Sequence, residues 1–461
     1  MRNIVPIVAA FAAAVLPASA TLASPQAPTA GLAPAADTVR AGAGRLDSTA
    51  ALATFDSVWR TVGASLEHRR VTRVDWNAVR RELRPPAARA RSTHELRAVL
   101  DAMLRRIGES HFSVIPAPPG ASRGGDPPRS GAALGTAGMA LRFVDGRLTV
   151  WRVDSMGAAH RSGIQAGALV EGIDDVVPAR PDPGDSTGMH RVMVLTGAMR
   201  ALSGEPGTPV RLVVRGPDGV RRETTVVRDT LRGPVSRFGN LPPLPAGLER
   251  RRVALSDGRC VGVIRFEYWL PPVMPALDRA VTELRGCTAM VLDLRGNLGG
   301  VAAMMMGVAG HFMNEPHVLG TMRARGEEMR FVANPRRATD AGVAVEPFAG
   351  PLAIVVDGLS ASTSEMFAAA LQGLGRARVF GERTAGQALP ATATRLPNGD
   401  VLMHVVADFE APNGTRIEGV GVMPDEVVLL THDDLRAGRD APFDAALRWI
   451  ERAQPTTQSA R

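Results

Sequence analysis

Residues 351–371, "PLAIVVDGLSASTSEMFAAAL", join an apolar run to a helix-like stretch through a turn that carries Ser360, Ser362 and Ser364. The short apolar run reads as a buried strand, and the stretch from Glu365 onward as the start of a helix. A strand entering a helix through a sharp turn lifts a hydroxyl clear of the backbone. The unpaired N–H groups of the helix start can then hold an oxyanion. The same serines also fit a plainer role as turn and cap residues, with Ser364 before Glu365 the expected N-cap.

From about Arg251 the same alternation of strand and helix repeats. "CVGVIRF", "MPALDRAVTELRG", "TAMVLDL", "VAAMMMGVAGHF", "PLAIVVD" and "SEMFAAALQGLG" follow one another, and "APFDAALRWIERA" closes the chain as an amphipathic helix. Such a pattern predicts parallel βαβ units with helices over the sheet. Further upstream the period changes. "FDSVWRTVGASL", "DWNAVRREL" and "THELRAVLDAMLRRIG" space apolar residues at three and four, which predicts a small helical bundle over residues 48–116. A Pro/Gly-rich linker, "PAPPGASRGGDPPRSG", leads into strand-like runs around the turns "DG" and "PDG", with a short helix between them. This order of strands, short helix and closing hairpin over residues 131–232 resembles a PDZ domain. The resemblance implies that Gly138, Met139, Ala140 and Leu141 form the peptide-holding loop and edge strand. There an extended tail would add as a strand. A small barrel that only spaces its neighbours is the other reading of the same pattern.

A chain of 461 residues with 45% hydrophobic content has room for about three globular domains. All 54 basic side chains are arginine, with no lysine anywhere, and the formal net charge is +8. The arginines are scattered in short groups, so they read as a solvated surface and not as a nucleic-acid footprint. Residues 1–20, "MRNIVPIVAAFAAAVLPASA", have one positive charge, an apolar stretch and a small-residue end, the layout of a cleaved secretory signal. Residues 21–47 are mostly Ala, Pro, Thr and Gly and read as a flexible leader. The protein is therefore expected to be exported, periplasmic or extracellular, with no membrane span left after cleavage. In an oxidising compartment Cys260 and Cys287 invite a disulfide, the alternative being two buried thiols.

A serine hydroxyl needs a base before it can act as a nucleophile at neutral pH. With no lysine in the chain, a serine–lysine dyad is excluded, and the nine histidines remain. His111 lies in a loop just after a helix and beside Ser110. Asp293 reads as a turn-stabilising residue, and Glu418 alone could be an ion-pair partner of Arg416. "DLRGNLGG" lacks the ending of a nucleotide-binding loop, and no cluster has metal-ligand spacing, so neither cofactor nor metal is expected. "FEYWLPP", 266–272, reads equally as a substrate-channel wall or a packed loop.

"RRIGESHF", "VLDLRGNLGG", "VDGLSASTSE", "GERTAGQ" and "GTRIEGVGVMPD" stand in the order found in the carboxy-terminal processing and tricorn-like serine peptidases, which the chain resembles over about residues 48–450. The lysine that the processing branch pairs with its serine would fall at position 387, which here is Gln387. The tricorn-like branch uses a histidine held by a second serine and a glutamate. That resemblance implies Ser362 as nucleophile, His111 as base, Ser110 and Glu418 as its orienting partners, and backbone N–H groups of Thr363 and Gly299, or Gly300, as oxyanion donors. Of the two glycines Gly299 is favoured.

The expectation is thus a multidomain α+β chain. It has a helical N-terminal bundle, a PDZ-like β domain, a ClpP/crotonase-like α/β peptidase core over 250–432, and a C-terminal helix and tail over 433–461. The expected function is exported serine endopeptidase acting on protein or peptide substrates. The competing reading is a catalytically silent scaffold that binds extended peptides or C-terminal tails. Oligomeric state is not legible in the sequence.

Overall fold

The computed structural model describes residues 46–69, 73–117, 134–180, 189–236, 244–324 and 326–453. The expected signal segment, nearly all of the leader, the Pro/Gly-rich linker beyond Ala117 and the last eight residues lie outside the described residues.

Helices Ser48–His68, Trp76–Arg89 and Thr93–Arg105 open the fold. Each starts where the sequence supplies a cap: Asp47, Asp75 and Ser92 accept N–H groups of the first turn with their side chains. Their apolar stripes meet in a cluster that includes Phe55, Val58, Val62, Leu96, Leu100 and Met103. The cluster is completed by Leu396 and Leu402, from much further along the chain. The helices therefore cannot bury their stripes alone; they are closed by the part that follows Ser362. Strand Ser113–Ile115 reinforces this by pairing antiparallel with Val401–Val405, which in turn pairs with Ala391–Arg395.

The next part is a 5-stranded antiparallel sheet in the order Met139–Val144, Arg147–Val153, Leu169–Ile173, Pro209–Arg215, Arg221–Val227. Met139–Val144 is an edge strand. Helix Met189–Leu202, which the sequence reading does not anticipate, lays Leu195, Ala198 and Leu202 into the cluster formed by Leu141, Val150, Val170 and Leu212. Its apolar residues run all around it and leave no stripe to detect.

A 6-stranded sheet forms the main core, in the order Leu248–Ala254, Cys260–Phe266, Ala289–Asp293, Leu352–Val356, Arg378–Gly381, Glu426–Val427. The first pair is antiparallel and the remaining pairs are parallel. All residues of Ala289–Asp293 and of Leu352–Val356 are buried, as a strand covered on both faces requires. Side chains alternate between the two faces. Ile264, Leu292 and Ile354 join the cluster under helices Val273–Leu284 and Thr363–Gly373, while Val263, Val291 and Val355 join Phe443 and Ile450 of the closing helix Ala441–Arg452. Cys260 and Cys287 are joined by a disulfide between the starts of neighbouring parallel strands, with Cα atoms 4.9 Å apart. Among the described residues no helix is long and apolar enough to cross a membrane.

Candidate active site

The parallel strands all deliver loops to the sheet end past Phe266, Asp293, Val356 and Gly381, the end where open α/β sheets gather their ligands. After Val356 the chain turns through Asp357, whose Oδ1 accepts the N–H groups of Gly296, Leu359 and Ser360. The Ser360 hydroxyl donates to the Leu294 carbonyl, so it is a turn residue as the sequence implies. Ser362 follows with φ 56° and ψ −119°. A non-glycine residue in this region costs about 1–3 kcal/mol and persists only where its surroundings hold it.

The restraint is visible. Ser362 N–H donates to the Gln387 carbonyl at 2.8 Å and to Glu365 Oε2 at 3.1 Å. Glu365 is fully buried and also takes the Thr384 hydroxyl and the Gly386 and Gln387 N–H groups, at 2.5, 2.7 and 2.8 Å. Burial pushes its carboxyl up to about 7, although every one of these donors pulls the other way. The helix Thr363–Gly373 is therefore capped at Ser362, not at Ser364 as the sequence suggests. Ser364 lies inside the first turn, and its hydroxyl accepts from Trp269 Nε1 and donates to the Asn297 carbonyl. Glu365 three residues after the cap is a spacing the sequence does carry, that of a capping box.

His111 arrives from the other side, on the loop that leaves helix Thr93–Arg105 through Gly108, with φ 62° of its own. Its Nε2 stands 3.3 Å from Ser362 Oγ, and its Nδ1 2.7 Å from Ser110 Oγ. Ser110 Oγ donates to Glu418 Oε2 at 2.9 Å, and Ser110 N–H to Glu418 Oε1 at 2.8 Å. The Ala388 N–H also donates to Glu418 Oε2, at 2.9 Å. These bonds fix the tautomer. Because the Ser110 hydroxyl spends its proton on Glu418, it must accept one from His111 Nδ1–H, which leaves Nε2 bare toward Ser362. Burial lowers His111 to about 4 and raises Glu418, the latter against the pull of its Ser110 and Ala388 donors.

Two backbone N–H groups border Ser362. Thr363 opens the helix, and its N–H has no acceptor among the described residues. Gly299 packs so tightly that a Cβ on it would stand 2.6 Å from Ser362 Cβ and 3.0 Å from Thr363 N. Its own N–H, however, donates to Asn297 Oδ1 at 3.0 Å. The N–H of the favoured Gly299 is thus already engaged, whereas that of Gly300 faces no acceptor among the described residues.

Asp293 makes none of these contacts and bonds Arg265 and Arg295 instead. It is buried between Arg265 and Arg295, with Arg295 also paired to Asp440, and the arginines hold its carboxyl far below the usual range. Glu418 is no partner of Arg416, which pairs with Glu109 and Asp408. Gly138, Met139, Ala140 and Leu141 lie apart from Ser362, on the edge strand of the 5-stranded sheet and the turn before it. Gly138, at φ 73°, gives its N–H to Thr136 Oγ1 and its carbonyl to Asp154 N–H, while the Met139 and Leu141 side chains are buried. The next residue, Arg142, bonds Asp357 Oδ2 and the Arg295 carbonyl, which ties this strand to the turn before Ser362. Sequence reasoning singled out neither Arg142 nor Glu365.

Residues 260–428 match the sequence profile of peptidase family S41. The carboxyl-terminal-processing protease of Synechocystis sp. is 29% identical over 279 residues, 54% of this chain and 63% of that protein. A putative tricorn protease homolog 2 of Streptomyces coelicolor is 28% identical over 411 residues, 86% of this chain but 32% of its own length. The chain therefore spans less than two thirds of either relative. Among solved structures, the photosystem II D1 C-terminal processing protease superposes with a TM-score of 0.55 at 21% identity, over 87% of this chain and 97% of that one, a likeness of fold. The profile match spans the sheet and loops that carry Ser362, Glu418 and the Gly299–Gly300 turn, and over that part the chain is similar to peptidase family S41.

Proposed function

We propose that the protein is an exported serine endopeptidase that cleaves protein or peptide substrates through an acyl-enzyme, with Ser362 as nucleophile and His111 as base. The observation that carries this reading is the continuous hydrogen-bonded chain Ser362–His111–Ser110–Glu418, whose direction leaves His111 Nε2 free to accept a proton. Ser362 Oγ attacks the scissile carbonyl carbon as its proton passes to Nε2, and the carbonyl π electrons move onto the oxygen. The resulting oxyanion is held by the N–H groups of Thr363 and Gly300. Collapse expels the amine, which takes the proton back from Nε2, and leaves the acyl ester on Ser362. Water, deprotonated by the same nitrogen, then releases the acid and restores the hydroxyl. Ser110 and Glu418 orient the imidazole and balance its transient charge.

The N-terminal helices, 48–116, the PDZ-like domain, 131–232, and the core, 250–432, act as three cooperating parts. The edge strand Met139–Val144 supports the view that the PDZ-like part takes an extended substrate tail by strand addition. Labelling with a fluorophosphonate tests the catalytic reading. The native protein should label and hydrolyse a peptide substrate, and Ser362→Ala and His111→Ala should do neither. Equal labelling of native and Ser362→Ala protein would defeat the assignment. No labelling of any form would leave a peptide-binding scaffold.

A further inference from the structure

Trp269 is completely buried, and no larger side chain in the described core is. Its backbone runs alongside Gly300 as a parallel bridge: the Trp269 N–H donates to the Gly299 carbonyl at 2.9 Å, and its carbonyl accepts the Val301 N–H at 2.8 Å. The Gly299 carbonyl and the Gly300 N–H belong to one planar trans peptide, in which the two point in opposite directions. The bond to Trp269 therefore fixes where the Gly300 N–H aims. The approach is so close that a Cβ on Gly300 would collide with the Trp269 carbonyl. On its other side, the Gly300 carbonyl accepts the Thr363 hydroxyl at 3.0 Å.

The indole continues the same work. Its Nε1–H donates to Ser364 Oγ at 2.9 Å, and Ser364 Oγ donates to the Asn297 carbonyl at 3.1 Å. The ring is held between Phe266 and Phe367, at centroid distances of 5.0 and 5.1 Å. One residue thus grips the peptide that bears the Gly300 N–H with its backbone, and the helix turn that bears the Thr363 N–H with its side chain.

We infer that Trp269 is a positioning residue that sets the separation and aim of the two oxyanion donors, Gly300 N–H and Thr363 N–H. The inference rests on the serine-peptidase reading above. The donors must be in place before the oxyanion forms, because backbone groups that move to meet it forfeit the advantage of preorganisation. A residue that acts in this way affects the tetrahedral state more than it affects substrate binding.

The test compares Trp269→Phe, which keeps an aromatic ring and the backbone bridge but loses the indole N–H, with Ser364→Ala, which removes the same bond from the other end together with the bond to the Asn297 carbonyl. Each variant is expected to lower kcat about tenfold and leave KM within about twofold. Each should also weaken, by the factor seen in kcat, a peptide boronate whose tetrahedral adduct on Ser362 fills the hole. All three lack the Trp269–Ser364 bond, and Ser364→Ala and the double variant also lack the Ser364–Asn297 bond, so the double variant should lose no more than Ser364→Ala alone. Folding is checked by thermal melting, and Ser364→Ala, which leaves the ring stack intact, stands in if Trp269→Phe does not fold. Native kcat and boronate affinity in a folded Trp269→Phe protein, or additive losses in the double variant, would overturn the inference alone. A native protein without Ser362-dependent turnover would overturn the peptidase reading and this inference with it.

Discussion

His111 Nε2 and Ser362 Oγ, 251 residues apart in sequence, stand 3.3 Å from each other. Both residues have positive φ, 62° and 56°, although neither is glycine. Strain at both ends of one hydrogen bond means that the surroundings, not the local sequence, set its geometry. Ser362 is held by Glu365 and the Gln387 carbonyl, and His111 by Ser110, which Glu418 anchors in turn. This contact is therefore a product of packing between the N-terminal helices and the sheet.

Glu418→Gln is expected to lower kcat about 100-fold with little change in KM. A glutamine can still accept one of the Ser110 groups, but its NH₂ end then confronts the other donors on Glu418. The imidazolium formed during attack also loses its counter-charge, the part an orienting carboxylate plays in related triads. Steady-state kinetics on a peptide substrate checks this. An unchanged kcat would mean that Glu418 serves only to hold the loop.

The acid limb of kcat/KM should lie near pH 4 and not near 6.5. Burial lowers His111 to about 4, so the neutral base persists as the pH falls below the ordinary imidazole value. The sign is that of a depressed base: activity present above the folded-state value and lost as pH falls through it. A profile measured between pH 3.5 and 8 decides the matter. A limb at 6.5 would show that water reaches the ring freely.

The side chains that meet at this site were legible because their types are restrictive. A serine at a strand-to-helix turn needs a base, and the lack of lysine left histidine as the candidate; the resemblance of "ESHF" and "RIEGVGVMPD" to the tricorn-like branch then implied His111, Ser110 and Glu418. The parallel core was legible in the uninterrupted apolar runs of strands such as Leu352–Val356. What escaped depends on torsion angles and close approach. Asn297 turns its side chain back onto the Gly299 N–H and so engages it, which no residue spacing announces. The cap falls on Ser362 because its φ is positive, whereas a sequence pattern assigns it to the serine beside Glu365. Helix Met189–Leu202 has no stripe because the 5-stranded sheet and the core touch it from different sides: Leu195 meets the sheet cluster and Arg191 pairs with Glu382.

Glu365→Gln should destabilise the protein by about 2 kcal/mol at pH 5, since an amide in that pocket leaves buried donors facing an NH₂ group. The penalty should shrink as the pH rises. Burial pushes Glu365 up to about 7 in the fold, against an ordinary carboxyl value of 4.5. The folded state therefore binds the extra proton between these values, and the native protein loses that stabilisation as pH climbs through 7. Chemical denaturation of both proteins at pH 5 and pH 8 measures the two gaps. A gap that widens with pH would mean that the donors, and not burial, dominate this carboxyl.

Arg69→Ala should cost activity as well as stability, because Arg69 links the end of the first helix to the His111 loop at Glu109 and to strand Asp408–Glu410. Its side chain is 1% exposed and pairs with Glu109 at 2.7 Å and Asp408 at 2.8 Å. Glu109 immediately precedes Ser110, so the ion pair fixes the root of the loop that carries the base. Ser65, one turn earlier, donates to the Val405 carbonyl at 2.5 Å, and Arg97 pairs with buried Asp400 at 2.6 Å, so the helices are also fastened to the hairpin Ala391–Val405 at two points. Removing Arg69 leaves Glu109 and Asp408 with Arg416 alone as their counter-charge, a loss of up to about 3 kcal/mol. Here it also leaves Glu109 held by Arg416 alone, and a displacement of about 1 Å at His111 is enough for a 100-fold loss of kcat. A lowered melting temperature together with a kcat loss much larger than any change in KM is the expected result. A destabilised variant with native kcat would show that the loop keeps its shape without the helices, and that docking supplies stability alone.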